Sequence, residues 1–384
     1  MKNLKKGLNT ICTHEGEIVD EQFGGSVSPI YVSTSYEYID KEVKRYPRYF
    51  NTPNQESLCK KISALECSES AMIFGSGMAA ISTTLLAFLS AGDHILLQKD
   101  IYGGTRNFVE AQFKRYNIDY SFTVGLELKD FVAGIKNTTK VIYIETPSNP
   151  LLKIVDIQKI AAFAKSNNII TIIDNTFATP IIQKPILFGV DVVLHSATKY
   201  FGGHSDISAG AVAASKANID IIWNLAKNLG GNLSDYSAWL LERSMKTLGL
   251  RVKAQQKSAK KLAKYLSESS FVKKVYYPGL KSHPNHLLAK KQMKGYGAMI
   301  SFEFVDKINT ELFLTSLKLI KPSMSLAGVE STMLSPAETS HHLLSKEDRL
   351  SQGITDRLIR FSVGIENKKD IIIDIENAIN LSIK

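Results

Sequence analysis

The sequence predicts an α/β fold, with a mostly parallel sheet flanked by helices and a smaller α+β unit after it. Short apolar, β-branched runs stop abruptly in polar residues, as strands buried on both faces of a parallel sheet do. These runs alternate with segments of helical periodicity, which is the α/β pattern with right-handed crossovers. From about residue 238 a long helical stretch is followed by alternating strands, which indicates the second unit.

The composition is that of a soluble globular chain. Its 384 residues are 44% hydrophobic and 22% charged, which is enough for two domains with sizeable cores. The uncharged segment 70–92 is long enough to cross a bilayer. It contains Gly75, Gly77 and several hydroxyl residues, however, so we interpret it as a strand, a glycine turn and a buried helix. We therefore expect no membrane span.

The charge pattern gives no sign of a nucleic-acid partner. The formal net charge is +10, but the lysines are spread along the chain and recur at helical spacing without interleaved aromatic residues, as in Lys257, Lys260, Lys261 and Lys264. A solvated helix face explains this pattern better than a nucleic-acid footprint.

Cysteine and histidine usage predicts a cytoplasmic protein without a metal. Cys12, Cys59 and Cys67 form no CxxC pair and leave one cysteine over, which fits a reducing compartment. His283 and His286 have ligand spacing but lie in a proline-rich turn, and the pair at 341–342 has no further ligands nearby.

In chain order, residues 1–45 show no strong period, so we interpret them as an arm that lies on its own body or on a neighbouring subunit. The prolines and asparagines of segment 46–54 predict a loop. A helix with an apolar stripe of Leu58, Ile62 and Leu65 follows.

Segment 71–80 predicts a strand that runs through a glycine turn into a helix. Free N–H groups and the helix dipole at such a turn bind phosphate. The match to G-x-G-x-x-A is complete and Asp100 follows Ala80 by 20 residues, so a nicotinamide oxidoreductase is a rival hypothesis. Against it, we place Asp100 at the end of a strand before a turn at Tyr102, and such an enzyme has no need of Lys199.

Further strand and helix segments at 141–145, 157–166, 169–174 and 190–194 complete the sheet. Ligands bind outside the carboxyl ends of strands in open α/β sheets, so the polar residues that follow the last two strands should line one crevice. These residues are Asp174, Ser196, Thr198 and Lys199.

That set has a chemical use. A lysine can form a Schiff base with an aldehyde cofactor, a carboxylate can keep a pyridine nitrogen protonated, and hydroxyls can bind a phosphate. This describes pyridoxal phosphate (PLP). The alternative is that Lys199 is a solvated loop lysine and Asp174 a helix cap.

In the second unit, strands are predicted at 272–277, 297–304 and 358–363, with a closing helix at 371–383. Arg360 alternates with apolar Ile359 and Phe361. It is either a surface arginine on an edge strand or an arginine in the interdomain cleft that holds a carboxylate.

Seven motifs in order resemble the Cys/Met-metabolism group of PLP enzymes, which includes cystathionine γ-lyases, cystathionine β-lyases, cystathionine γ-synthases and methionine γ-lyases. The resemblance runs from about Gly24 to Ala378. The motifs are Tyr46-x-Arg48, Ser76-Gly77-Met78, Asp100-x-Tyr102-Gly103-Gly104-Thr105, Glu145-Thr146-Pro147-x-Asn149-Pro150, Asp174-Asn175-Thr176-Phe177, Ser196-x-Thr198-Lys199-Tyr200 with Gly203-His204-Ser205-Asp206, and Leu358-Ile359-Arg360.

The resemblance implies the PLP transferase fold of type I, with the arm at 1–45, a large cofactor-binding domain at 46–240 and a small domain at 241–384. It implies that Lys199 carries PLP and moves protons, and that Tyr102 stacks on the ring and acts as acid or base. The implied cofactor-binding residues are Tyr46 and Arg48 of a neighbouring subunit, Ser76, Gly77, Met78, Asp174, Thr176, Ser196 and Thr198. The implied substrate-binding residues are Asn149, Ser325, Leu326 and Arg360.

The sequence thus predicts a homo-oligomeric PLP enzyme, a dimer of dimers, that breaks C–S bonds in sulfur amino acids by β- or γ-elimination. The alternatives are γ-replacement on an acylated homoserine, the oxidoreductase above and a catalytically silent scaffold. Three places depart from the family pattern: Pro53 comes one place late, Asn107 stands where an arginine is frequent, and Met324 stands where a glutamate is frequent. Met324 offers an apolar wall and Asn107 no charge, which predicts weaker discrimination for the distal amino acid of cystathionine than a glutamate would give, with turnover of simpler substrates such as methionine or homocysteine.

Overall fold

A computed structural model describes residues 6–339 and 345–384. The histidine pair at 341–342 lies outside those residues. Within them, no group of histidine, cysteine, aspartate and glutamate side chains could hold a metal ion, and no helix is long and apolar enough to cross a membrane. The segment 70–92 forms a strand and a helix, as the sequence predicted.

The larger sheet has seven strands in the order β1-β7-β6-β5-β4-β2-β3. They are β1 (Ser70–Phe74), β2 (His94–Leu97), β3 (Asp119–Phe122), β4 (Thr139–Glu145), β5 (Ile170–Asp174), β6 (Val192–His195) and β7 (Gly210–Ala214). Strands β2 to β6 pair in parallel, while β7 is antiparallel to both β1 and β6. The mostly parallel sheet is confirmed, and β2 ends three residues before Asp100 rather than at it.

The smaller sheet has five strands in the order β10-β11-β12-β9-β8. They are β8 (Val272–Tyr276), β9 (Met299–Phe304), β10 (Lys321–Pro322), β11 (Thr332–Leu334) and β12 (Leu358–Ser362). Strand β12 lies between β11 and β9, and every residue of β12 and β9 is buried. Arg360 is therefore not on an edge strand, because both edges of β12 are paired.

Helices cover both faces of the larger sheet and one side of the smaller one. They are α1 (Leu8–His14), α2 (Pro53–Glu66), α3 (Gly77–Phe88), α4 (Gly103–Gln112), α5 (Leu128–Gly134), α6 (Ile157–Ser166), α7 (Thr179–Ile182), α8 (Lys216–Leu229), α9 (Asp235–Met245), α10 (Leu248–Glu268), α11 (His286–Gln292), α12 (Thr310–Ser316), α13 (Lys346–Ser351) and α14 (Lys368–Leu381). Short 3-10 helices occur at Pro47–Tyr49, Phe113–Tyr116 and Pro185–Phe188.

One apolar core runs from the larger sheet to the smaller one. It includes Ile173 of β5, Val252 and Leu262 of α10, and Phe302 of β9. A second core fills the opposite face of the larger sheet, around Phe74, Tyr143 and Leu194. The proposed division at residues 240 and 241 puts one sheet on each side of the boundary.

Two local predictions were wrong. Residues 8–14 of the arm form α1, and Cys12 is fully buried; residues 17–45 carry no regular helix or strand. The loop at 46–54 ends early, because Pro53 occupies the first turn of α2, where its missing N–H costs nothing, and Thr52 with Gln55 forms a capping box.

Candidate active site

A cavity of about 540 Å³ opens at the carboxyl ends of β4, β5 and β6 and at the amino ends of α3 and α4. The smaller sheet contributes Arg360 to the same cavity. Thirteen of the fifteen site residues inferred from the sequence line it: Ser76, Gly77, Met78, Tyr102, Asn149, Asp174, Thr176, Ser196, Thr198, Lys199, Ser325, Leu326 and Arg360.

Tyr46 and Arg48 do not line the cavity within this chain. Both are exposed, at the short helix Pro47–Tyr49. Arg48 donates a hydrogen bond to the backbone carbonyl of Lys227 in α8, and its guanidinium lies 5.5 Å from the ring centre of Tyr46. Their role in the site of a neighbouring subunit stays a prediction.

Lys199 follows β6 and projects its amine into the cavity. Its Nζ lies 2.7 Å from Oγ of Ser325. Burial, and then the nearby positive charge of Arg360, lower the pKa of Lys199 from its usual value of 10.5 to about 8. A larger share of the amine than in an ordinary lysine is therefore neutral near physiological pH and able to act as a nucleophile or base.

Two carboxylates end adjacent strands beside this amine. Asp174 of β5 and Glu145 of β4 are in register, and both are at least nine-tenths buried. The backbone N–H of Thr176 donates to Oδ1 of Asp174 at 2.9 Å. Burial raises the pKa of both groups; the charge of Asp174 raises that of Glu145 further, whereas hydrogen bonds from Thr176 oppose the rise for Asp174.

The amino end of α3 faces Ser196 across a narrow gap. Ser76 caps the helix by accepting a hydrogen bond from the N–H of Ala79 at 3.0 Å. A Cβ atom on Gly77 would come within 2.9 Å of Cβ of Ser196, so only glycine fits there. Free N–H groups and the positive end of the helix dipole make this gap suitable for an anion.

The hydroxyl of Thr198 is mainly engaged with the chain itself. It donates to the carbonyl of Ala209 at 3.1 Å and accepts from the N–H of Ala209 at 3.0 Å. Thr176 in turn accepts a hydrogen bond from the N–H of Ser196 at 2.8 Å. These two threonines hold the turns on which Ser196 and Lys199 lie.

Tyr102 caps α4 and is half-exposed on the cavity wall. A Cβ atom on Gly104 would lie 2.5 Å from Cε1 of Tyr102, so this glycine lets the ring lie against the first turn of α4. An anion pocket, a buried carboxylate, an aromatic face and an amine with a lowered pKa therefore share one cavity. This donor set fits PLP, which needs a partner for its phosphate, its pyridine nitrogen, its ring and its aldehyde.

Arg360 is 5% exposed and forms no ion pair with a carboxylate of the described residues. Its Nη1 donates to Oδ1 of Asn149 at 3.2 Å, and its Nη2 donates to the carbonyl of Ser325 at 3.0 Å. Ser325 has a positive φ of 75°, which turns its carbonyl toward Arg360 while its hydroxyl meets Lys199. A buried cation with donors to spare at a cavity wall suits a carboxylate ligand.

Three charged residues of the cavity lining were not predicted as site residues from the sequence: Glu145, Arg106 and Glu110. Glu145 ends a buried strand as Asp174 does, so the same signal could have identified it. Arg106 donates to Oε1 of Glu110 at 3.0 Å and lies over the ring of Phe122. Together with exposed Met324, these two residues give the cavity wall charged as well as apolar character. The weak discrimination for the distal group of cystathionine stays a prediction.

Asp100 does not support a dinucleotide site. It is 8% exposed, lies outside the lining of the cavity and is ion-paired with Nζ of Lys153 at 2.7 Å. A carboxylate engaged in this way is not available for a ribose hydroxyl.

Comparison with known proteins identifies the family of this chain. The profile of the family described as Cys/Met metabolism PLP-dependent enzyme matches residues 9–380. The chain is 44% identical to a cystathionine β-lyase of Lactococcus lactis subsp. cremoris (strain MG1363), over 97% of this chain and 98% of the relative. It is 41% identical to a cystathionine γ-lyase of Bacillus subtilis (strain 168), over 96% and 98%.

Among solved structures, the cystathionine γ-lyase from Lactobacillus plantarum complexed with L-serine is similar throughout. The TM-score is 0.94 with 38% sequence identity, over 98% of this chain and 99% of that one.

Proposed function

The chain belongs to the Cys/Met-metabolism family of PLP-dependent enzymes, and we propose that it is a carbon–sulfur lyase acting on sulfur amino acids. The products of such a reaction are a 2-oxo acid, ammonia and a thiol. The predictions of family, fold class and cofactor are confirmed by the family match and by the similar structure.

The observation that supports the proposal most is the position of Ser325 between two reactive groups. Its hydroxyl is bonded to the amine of Lys199, and its carbonyl is bonded to the guanidinium of Arg360. A carboxylate bound by Arg360 would therefore bring the α-carbon of an amino acid close to Lys199. This arrangement would put a base beside the carbon whose proton must leave, which supports the proposal.

When bound, PLP supplies an electron-withdrawing ring that stabilises negative charge at the substrate α-carbon. We propose that Ser76, Gly77, Met78, Ser196 and Thr198 hold its phosphate. Asp174 would keep the ring nitrogen protonated, and Thr176 would support Asp174 through the backbone N–H that donates to it.

The chain's own groups would then move protons. Lys199, neutral in part because of its lowered pKa, would take the proton from Cα. The hydroxyl of Tyr102, on the cavity wall, would give a proton to the departing sulfur. Arg360, Asn149 and the backbone at Ser325 and Leu326 would hold the α-carboxylate and keep the Cα–H bond directed at Lys199.

β-Elimination needs the first proton removal alone, whereas loss of a γ-substituent also needs removal of a proton from Cβ. The same base and acid could serve both reactions, so the catalytic groups do not distinguish β-elimination from γ-elimination. The Arg106–Glu110 pair offers both charges to the distal amino acid group of cystathionine, while Met324 favours simple thioethers. Because of that charged pair, we place cystathionine first among the substrates.

The proposal is tested by measuring pyruvate and 2-oxobutanoate released from cystathionine, homocysteine, methionine and cysteine. Pyruvate from cystathionine indicates β-elimination, and 2-oxobutanoate indicates γ-elimination. Thiol addition to an acylated homoserine, with little keto acid formed, would instead favour γ-replacement. Borohydride treatment and peptide mass spectrometry should find the cofactor on Lys199, and attachment to another lysine would contradict the site.

We also propose that the active form is a homo-oligomer built from dimers, in which Tyr46 and Arg48 complete the phosphate site of a neighbour. Their exposure outside the chain's own cavity supports this. Mixing inactive Arg48→Ala with inactive Lys199→Ala should restore part of the activity after subunit exchange. Proven exchange without recovered activity would rule out a shared site.

A cytoplasmic location is proposed as well, because Cys12, Cys59 and Cys67 are all free thiols.

A further inference from the structure

We propose that Glu145 is a positioning residue, whose single buried carboxylate fixes Tyr102 and Asn149 at once. The inference rests on the proposed function, because it assigns a role to the two residues that Glu145 holds. The mechanism above gives Glu145 no role, although it is buried and lines the cavity.

The two oxygens of Glu145 bind two different loops. Oε2 accepts a hydrogen bond from the N–H of Tyr102 at 2.6 Å, and Oε1 accepts one from the N–H of Asn149 at 3.1 Å. Tyr102 begins the helix after β2, and Asn149 lies in the turn after β4. The carboxylate therefore ties together two segments more than forty residues apart in sequence.

Each tied segment carries a different part of the proposed site. Tyr102 is the aromatic residue at the cavity wall, and Asn149 accepts the hydrogen bond from Nη1 of Arg360. A shift of the first would misplace the acid group and the ring face, and a shift of the second would misplace the carboxylate-binding arginine. One side chain thus controls both the chemical step and substrate binding.

The strand beneath Glu145 makes it a rigid support. Its backbone N–H donates to Oε1 of Gln98 at 3.1 Å, and its carbonyl accepts from Nε2 of Gln98 at 2.9 Å. Glu145 also pairs in register with Asp174 on β5. A side chain on the buried end of a sheet strand holds loops more precisely than one on a loop would.

Two substitutions distinguish the two hydrogen bonds of Glu145 from its negative charge. A glutamine at 145 has one accepting oxygen, and its NH₂ group would face the other N–H donor. An aspartate keeps the charge but is one methylene too short to reach both loops. If Glu145 acts by binding both loops, Glu145→Gln and Glu145→Asp should both loosen the loops and lower activity. If it acts through its negative charge beside Asp174, Glu145→Asp should behave as wild type.

The experiment is hydrogen–deuterium exchange of the holoenzyme together with steady-state kinetics on cystathionine. We expect faster exchange at residues 99–108 and 146–153 in Glu145→Gln, and in at least one of them in Glu145→Asp. We also expect both variants to lower kcat and raise KM, each by tenfold or more, which is about 1.4 kcal/mol per tenfold change. The change in kcat reports the displacement of Tyr102, and the change in KM reports the displacement of Asn149 and Arg360.

Glu303→Gln is the matched control. Glu303 is an equally buried glutamate of β9 that contacts Lys273 and Thr355 and does not line the cavity. The Glu303→Gln variant should lower the melting temperature without changing kcat, KM or hydrogen exchange in the two segments. Unchanged exchange at 99–108 and 146–153 in Glu145→Gln, exchange that rises equally across the whole chain, or wild-type behaviour of Glu145→Asp would overturn the proposal. The exchange results decide it even if the enzyme proves to use another substrate.

Discussion

Arg251 and Arg360 are both 5% exposed, and neither forms an ion pair with a carboxylate in the described parts of the chain. Arg251, on α10, donates to the carbonyls of Tyr200, Phe201 and Ser244 and to the hydroxyl of Thr247. Arg360, on β12, makes two hydrogen bonds and faces the cavity. Burial lowers the pKa of each to about 10.

The different hydrogen-bond partners of the two side chains distinguish an arginine that supports the fold from one that can bind a ligand. A guanidinium has five N–H donors, and Arg251 uses most of them on three backbone carbonyls and one hydroxyl. Arg360 keeps donors for a ligand. Burial of an unpaired charge is thus not enough to indicate a site, whereas unused donors next to a cavity are. Both arginines bind the surroundings of Lys199. Arg251 donates to the carbonyls of the two residues that follow Lys199, and Arg360 donates to the carbonyl of Ser325, whose hydroxyl is bonded to the Lys199 amine.

The largest effect is expected from Lys199→Ala, which removes the amine whose pKa Arg360 helps to lower. Turnover should fall by about 10⁴-fold, because Lys199 is the one amine among the described residues that line the cavity and is the base proposed at Cα. Keto-acid release under saturating substrate measures it. Lys165→Ala, which changes an exposed lysine of α6, is the control. A Lys199→Ala protein with more than a trace of wild-type activity would contradict the assignment.

Arg360→Met tests the binding arginine. Losing a bidentate contact with a carboxylate costs about 3 kcal/mol, which corresponds to a KM about 10²-fold higher. The free energy of unfolding should stay the same or rise, because an apolar side chain replaces a buried charge. Substrate kinetics and urea denaturation measure the two quantities. A wild-type KM would show that Arg360 is structural, like Arg251.

Arg251→Met tests the structural arginine and should give the opposite result. The carbonyls of Tyr200 and Phe201 would lose this donor, whereas that of Ser244 keeps the hydroxyl of Thr247, so the free energy of unfolding should fall by about 3 kcal/mol. KM should stay close to wild type, because Arg251 does not line the cavity. The same denaturation and kinetic measurements apply. A large rise in KM with wild-type stability would reverse the roles assigned to the two arginines.

The smallest effect concerns the pH dependence of Lys199. Its amine is charged below a pKa of about 8 and neutral above it. Acetylation of Lys199 in cofactor-free protein, followed by mass spectrometry, should therefore accelerate as pH rises through about 8. Arg360→Met removes the second cause of the lowered pKa, so the rise should move to higher pH, while Arg251→Met should leave it in place. Superimposable profiles for wild type and Arg360→Met would refute this electrostatic coupling.

Several parts of the fold and site could be predicted from local pattern, and others could not. Asp174 and Lys199 follow apolar runs of the right length, and parallel strands bring such ends to one edge of a sheet. Strand β7 was missed because glycine and alanine make up most of it, and β3 because it is short and half polar. The helix α1 was missed because seven residues are too few for a clear period.

The sequence by itself determined which residue types stand at the ends of the central strands, and hence the family, the cofactor and most of the cavity lining. This information is local, because burial on both faces leaves a continuous apolar run and a polar end. Only the tertiary structure decided the environment of Arg360, the two-loop contact of Glu145, and the charged pair at Arg106 and Glu110. Alternation along a strand shows which face a side chain is on, but not what covers that face. Hydrogen bonds between loops distant in sequence depend on the packing of both sheets.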